Sequence, residues 1–287
     1  MAILIGIIFG IVALIAWGIS DFFAAHSTRN TNATKTFFWS QATSLALLTI
    51  TFFLFFFKIP SISTVQWIQI VALTVVTIAA FLTFYKGLHV GKVGSVSPIV
   101  AAWPTVTLFF ALTLLGEHLT SLQGIAVALV ILGGVLSSFK IHNILKMNFK
   151  SIVKGANYAV AAAVLFGIAF TIVDPLVATM GFFIPMLVSK AMQVPILAAY
   201  ARTRKIDISF PRNIVLPIAL VGGLEFVGLM SYTLAISSEF TAVIAPMASA
   251  VPMVTIILAR IFFKERLDAI QWLGVFTVLT GVAILSI

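Results

Sequence analysis

The chain has 287 residues, 61% of them hydrophobic and only 9% charged, with 17 Lys and Arg against 8 Asp and Glu. Soluble domains are roughly a quarter charged and much of their surface must face water. This composition, with a mean hydropathy of +1.19, therefore excludes a soluble enzyme, a disordered tail and a fibrous repeat. The net charge of +9 does not require nucleic acid, because membrane proteins gather Lys and Arg in the short loops of one face. No nucleic-acid partner is expected, and the lack of cysteine excludes disulfides and thiolate metal sites.

A bilayer core about 30 Å thick needs roughly 20 apolar residues per helix. Apolar runs of that kind fall at 3–25, 36–57, 66–88, 96–115, 121–139, 156–173, 182–200, 214–236, 243–263 and 269–287. They predict an all-α integral membrane protein with ten transmembrane helices. The first run lacks a basic leader, and Ala24-Ala25-His26 is a poor cleavage signal, so it reads as a retained helix. The longest polar stretches are 26–35, 140–155 and 201–213, and none is large enough for a soluble domain.

Basic residues fix an expected orientation. The odd-numbered loops hold Arg29, Lys35, Lys86, Lys92, Lys140, Lys146, Lys150, Lys154, Arg202, Arg204, Lys205, Arg212, Arg260, Lys264 and Arg266, whereas the even-numbered loops hold only Lys58. Odd loops are therefore expected in the cytoplasm and both termini outside, in a multi-pass protein of the cytoplasmic membrane.

The chain matches itself at an offset of 148 residues. Pro98 to Leu136 and Pro246 to Ile284 align without a gap and share twelve of thirty-nine residues, among them Pro98/Pro246, Pro104/Pro252, Glu117/Glu265, Gln123/Gln271 and Gly133/Gly281. Apolar composition alone does not align two prolines, a glutamate and a glutamine. The halves are 3–139 and 156–287, joined by a basic linker at 140–155. Each holds five helices, an odd number, so the second half should cross the membrane inverted, and the opposite charge bias of the matched loops agrees. Secondary transporters use such inverted repeats.

Several residues then become candidates. Glu225 and Lys190 are charges inside predicted spans at similar depth, with Gln193 one turn from Lys190; charges there are costly and usually functional. They are expected either to meet the two ends of a zwitterion or to tie two helices together as an ion pair, and Glu225 is also a candidate proton or cation site. Trp103, Tyr232, Trp17, Phe84 and Tyr85 are aromatic candidates for stacking or for holding an ammonium group, against an alternative role in packing. Asp21 and Asp174 read as interfacial caps near helix ends, with a proton relay as the alternative. The symmetric Pro98, Pro104, Pro246 and Pro252 are expected to kink their helices as gates or static bends, with Gly18 and Gly167 as partners in flexibility. His26, His89, His118 and His142 show no ligand spacing, so no metal is expected, and no cofactor either. No phosphate-binding GxxxxGK[ST] loop occurs, which argues against use of ATP by this chain.

Two five-helix halves, each with a proline-bearing fourth helix that ends in Gly116-Glu117-His118-Leu119 or Lys264-Glu265-Arg266-Leu267, followed by a glutamine and a glycine-containing helix, resemble paired EamA domains of the drug/metabolite transporter superfamily. The Trp17-Gly18 pair, echoed as Phe166-Gly167, adds to the resemblance. It implies a ten-helix transporter with a central cavity lined by helices 1, 3, 4, 6, 8 and 9, and it implies that Glu117 and Glu265 are structural motif residues that cap a neighbouring helix. It leaves the substrate open among amino acids, nucleotide sugars, choline, sugars and other metabolites. The expected activity is secondary transport of a small polar metabolite, with an amino acid or related compound ahead of an organic cation or sugar, protons as a candidate coupling ion, and a monomer or weak homo-oligomer as the assembly. An intramembrane transferase would need paired acids, His-rich motifs or a metal, and a purely structural protein would explain neither Glu225 nor the repeat.

Overall fold

The computed structural model describes residues 2–56, 58–90, 99–138, 149–251, 253–254 and 269–285. Among them all regular structure is helical: α1 (Ala2–Asn30), α2 (Ala33–Thr51, continued by a π-helical turn Phe52–Phe56), α3 (Thr64–Val90), α4 (Trp103–Thr113), α5 (Ser121–Ser138), α6 (Phe149–Met180), α7 (Ile184–Thr203), α8 (Val215–Ile236), α9 (Thr241–Ser249) and α10 (Ala269–Leu285). Six helical stretches have the length and apolar character of a membrane span: Ile5–Thr28, Ala33–Phe56, Thr64–Gly87, Gly155–Met180, Ile184–Thr203 and Arg212–Ile236. Trp103–Thr113, Ser121–Gly134 and Trp272–Leu285 are shorter apolar helices. The described residues thus form an all-helical bundle with the helix lengths and composition of a membrane protein. Pro98, Pro252 and Glu265 lie outside the described residues, as does most of the 140–155 linker.

In lipid, helices associate by close packing of small residues rather than by exclusion of water, and glycines mark the contacts. A Cβ on Gly133 of α5 would lie 2.6 Å from the backbone nitrogen of Val278 on α10, and one on Gly281 of α10 would lie 2.7 Å from a methyl of Val130 on α5. Likewise a Cβ on Gly18 of α1 would meet Val254 at 2.5 Å, and one on Gly167 of α6 would meet Val106 of α4 at 2.4 Å. Val106/Val254, Val130/Val278 and Gly133/Gly281 are pairs at the offset of the sequence repeat. Each close contact is therefore made twice, with the halves exchanged. The larger packing follows the same rule: α1 lies along α8 as α6 lies along α3, and α1 meets α9 as α6 meets α4.

The loops sort to two ends. The short link from α1 to α2 touches the link from α7 to α8, where Asn32 Nδ2 donates to the Asp207 carbonyl at 2.9 Å and Trp39 Nε1 to the Ile208 carbonyl at 3.0 Å. The link from α4 to α5 instead meets the start of α9, where Glu117 accepts from the backbone N–H groups of Thr241 and Ala242 at 2.9 and 2.7 Å.

Three local expectations need correction. Asp21 does not sit near the end of its helix, because α1 continues for nine residues beyond it to Asn30. Asp174 does not end α6, which runs through Pro175 to Met180. Pro104 does not bend the interior of a helix: it stands in the first turn of α4, where its missing N–H would have had no helical partner.

Candidate functional site

Two charged side chains singled out by the sequence meet inside the bundle. Lys190 of α7 is 3% exposed, and its Nζ lies 3.1 Å from Glu225 Oε1 of α8. The same ammonium donates to Gln41 Oε1 of α2, so three helices converge on one cation. Ser189 and Gln193 beside it on the helix are also buried. A lone ammonium there would be prohibitively costly, and the carboxylate with the carboxamide offsets that cost.

Around the pair lies a band of polar groups. Gln193 Nε2 donates to Ser189 Oγ at 3.1 Å, and Ser189 in turn shares a 3.0 Å hydrogen bond with Thr74 of α3. Gln193 Oε1 is buried without a hydrogen-bond partner among the described residues. Asp21 of α1 lies on the stretch of that helix that runs along α8 beside Glu225: Ser20 Oγ donates to the Val221 carbonyl at 3.2 Å, and Trp17 abuts Gly228. Asp21 was read from the sequence as a cap, whereas the fold places it within the charged cluster.

The aromatic candidates divide into two groups. Trp17 lies 5.6 Å from Tyr232 and 5.6 Å from Phe170, Tyr232 lies 4.8 Å from Phe170, and Trp103 stacks on Phe170 at 4.2 Å (ring centroids throughout). Three of the expected aromatics thus gather around Phe170, a residue with no distinguishing sequence signal. Trp17 reaches this cluster because Gly228 of α8 has no side chain: a Cβ there would fall 2.5 Å from the indole. Tyr232 is fully buried and its hydroxyl has no hydrogen-bond partner among the described residues. Phe84 and Tyr85 belong to the second group, with Phe84 near Phe166 at 6.3 Å and Tyr85 near Phe37 at 5.9 Å. Phe84 and Tyr232 occupy equivalent repeat positions, and Phe166 stands to Phe84 as Trp17 stands to Tyr232.

A separate cavity of about 450 Å³ opens at the far end, lined by Leu115, Glu117, Asp174, Ile236, Ser238, Glu239 and Phe240. It contains neither Lys190 nor Glu225. Here Glu117 performs the capping role expected of a motif glutamate, since its two oxygens take two of the orphan N–H groups at the start of α9. Asp174 accepts from the Thr241 hydroxyl, which joins α6 to the same turn. Partial burial holds the Glu117 carboxyl above the usual glutamate range; its two backbone hydrogen bonds oppose that rise, and the neighbouring Asp174 and Glu239 add to it. Pro246 stands inside α9, one turn beyond Ala242.

The site therefore consists of a buried ammonium, two carboxylates and two carboxamides within a membrane bundle, bordered by an aromatic cluster. Such groups can hold small polar or charged molecules by hydrogen bonds and ion pairs. No curated protein matches this sequence. A crystal structure described only as that of a protein superposes with a TM-score of 0.78 at 14% identity, covering 97% of this chain and 95% of its own; the likeness is one of fold. The model of the EamA-like transporter family matches residues 4–139 and again 153–287. These two matches take in nearly the whole chain and divide it as its internal repeat does, and the chain belongs to the EamA-like transporter family.

Proposed function

We propose that this chain is a secondary transporter that moves a small polar metabolite, an amino acid or related amine, across the cytoplasmic membrane by alternating access between two inverted five-helix halves. The observation that carries this reading is the meeting of Lys190, Glu225 and Gln41 inside the bundle. Transporters of repeat architecture bind at the midplane between their halves, and charge is retained at that depth where it works. Lys190 and Glu225 set the charge of the substrate site, Gln193 supplies a carbonyl oxygen without a partner among the described residues, and Trp17, Trp103, Tyr232, Phe84 and Tyr85 form the walls. Pro98, Pro104, Pro246 and Pro252, with Gly18 and Gly167, act as the points of bending. The basic loops face the cytoplasm and the termini the outside, so a reporter fused to the C-terminus gives an external signal.

Counterflow in proteoliposomes against a panel of amino acids, amines and sugars tests the proposal. Exchange of at least one compound, lost in Glu225→Gln with folding retained, is the expected result. A Glu225→Gln variant with unaltered rate and pH dependence removes Glu225 from the mechanism, and no exchange of any compound by the parent chain overturns the transport reading.

A further inference from the structure

We infer that the substrate carries a net positive charge and that Asp21 receives its ammonium group. This rests on the transport reading above and narrows it to a class of substrate. The first observation is a count. Asp21 follows Ser20, whose Oγ donates to the Val221 carbonyl one turn from Glu225, so the charged cluster has two carboxylates, Asp21 and Glu225, against one ammonium, Lys190. Lys190 is already committed to Glu225 and Gln41, whereas Asp21 makes no hydrogen bond or ion pair among the described residues. With both carboxylates ionised the cluster is one positive charge short, and a bilayer interior penalises that imbalance.

The second observation is the direction in which Asp21 points. The exposed residues of the first turns of α1 are Ile5, Ile8, Val12 and Ile15, a stripe at the three- and four-residue spacing of one helix face. At about 100° per residue, Asp21 lies roughly opposite that stripe, yet it is exposed. Its accessible surface therefore opens toward the interior of the bundle and not toward lipid. Trp17 is one turn away on the same face, half-buried, with its indole in the cluster of Phe170 and Tyr232. A carboxylate and an aromatic face one turn apart suit an organic ammonium, which gains both ion pairing and cation–π attraction.

The third observation discriminates between substrate classes. A zwitterion would leave the cluster one charge negative, and its carboxylate would have to draw Lys190 away from Glu225. A monocation neutralises the cluster with that pair intact.

The test uses charge-matched pairs in counterflow with the full chain: butylamine against 4-aminobutyrate, choline against betaine, and lysine against norleucine. The cation of at least one pair is expected to exchange about tenfold better than its partner, a difference of about 1.4 kcal/mol. Asp21→Asn should bring that pair to within about threefold, Asp21→Glu should keep the preference, and Asp207→Asn, on the surface, should leave it unchanged. The preference of the parent chain is read without any variant, so a poorly folded Asp21→Asn does not blunt the test. Better exchange of the zwitterions overturns the inference while transport stands, and so does an undiminished cation preference in well-folded Asp21→Asn. A zwitterion that brings one proton with it overturns it too, by naming the proton as the missing charge. Exchange of neither member of any pair, nor of any compound in the wider panel, removes the transport reading itself.

Discussion

Among the described residues are two lysine–carboxylate pairs of the same chemistry in opposite surroundings. Lys35 Nζ lies 2.5 Å from Asp207 Oδ2 at a loop end, where the aspartate side chain is 64% exposed, while Lys190 and Glu225 meet at 3.1 Å with side chains 4% and 15% exposed. The surface pair is shorter and has a further partner in Ser209, yet water competes for both of its members and salt screens them. The buried pair has no such alternative. Contact distance is therefore a poor guide to how much either pair matters: the deciding quantity is what each partner would face alone.

The largest effect should follow from separating the buried pair. Lys190→Ala leaves Glu225 without its cation and Gln41 without its donor, and removal of one partner of a buried pair costs about 3–5 kcal/mol. The purified variant should melt well below the parent, with poor recovery from membranes. Lys190→Met combined with Glu225→Gln removes both charges and should regain much of that loss without regaining transport. If the single variant melts with the parent, the pair is not held as described.

Glu117 lies between the two extremes, at 8% exposure with two backbone N–H donors. Glu117→Gln keeps one acceptor but turns an amide toward the second N–H, which should cost about 1–2 kcal/mol. The effect should be seen as a lower melting temperature and as faster amide exchange at Thr241 and Ala242. An unchanged exchange rate there would deny the cap its role.

Much of this arrangement is legible in the sequence, and the failures have local causes. Lys190 and Glu225 stand out because any charge within an apolar run does, and their equal depth already suggests that they meet. The mirrored contacts of Gly133 and Gly281 follow from the ungapped repeat. Asp21 was misplaced because hydropathy falls at His26-Ser27-Thr28, as though the helix ended there. The backbone continues, and Ser27 is fully buried with its carbonyl accepting from Thr31, so polarity misreported the end of the helix. Gln41 stands among the uncharged polar residues Ser40, Thr43 and Ser44, and nothing in the sequence ranks it above them. Phe170 could not be chosen among 26 phenylalanines without knowing which helix faces Trp17. Pro104 was expected to bend a helix because the run is continuous in hydropathy, whereas the chain turns at Ala101 and Ala102 and α4 starts afresh at Trp103.

The smallest effect belongs to the surface pair, and pH separates it from Glu117. Hydrogen bonds from Lys35 and from the backbone and side chain of Ser209 hold the Asp207 carboxyl at about 2, below its ordinary 3.8. A carboxylate whose value is depressed by folding contributes above the unfolded value and loses that contribution as pH falls toward the folded one, here between 3.8 and about 2. Glu117 has the opposite sign. Its folded value is raised above 4.5, so protonation favours the fold, and acidification toward 4.5 should not destabilise the protein through this group. Asp207→Asn should accordingly leave the melting temperature at neutral pH nearly unchanged, and whatever small difference remains should vanish in high salt. It should also remove any stability change between pH 4 and pH 2 that the parent owes to the contact between the α1–α2 and α7–α8 links. A large loss at neutral pH that persists in salt would mean that this contact is as shielded as the buried one, and the distinction between the two pairs would fail.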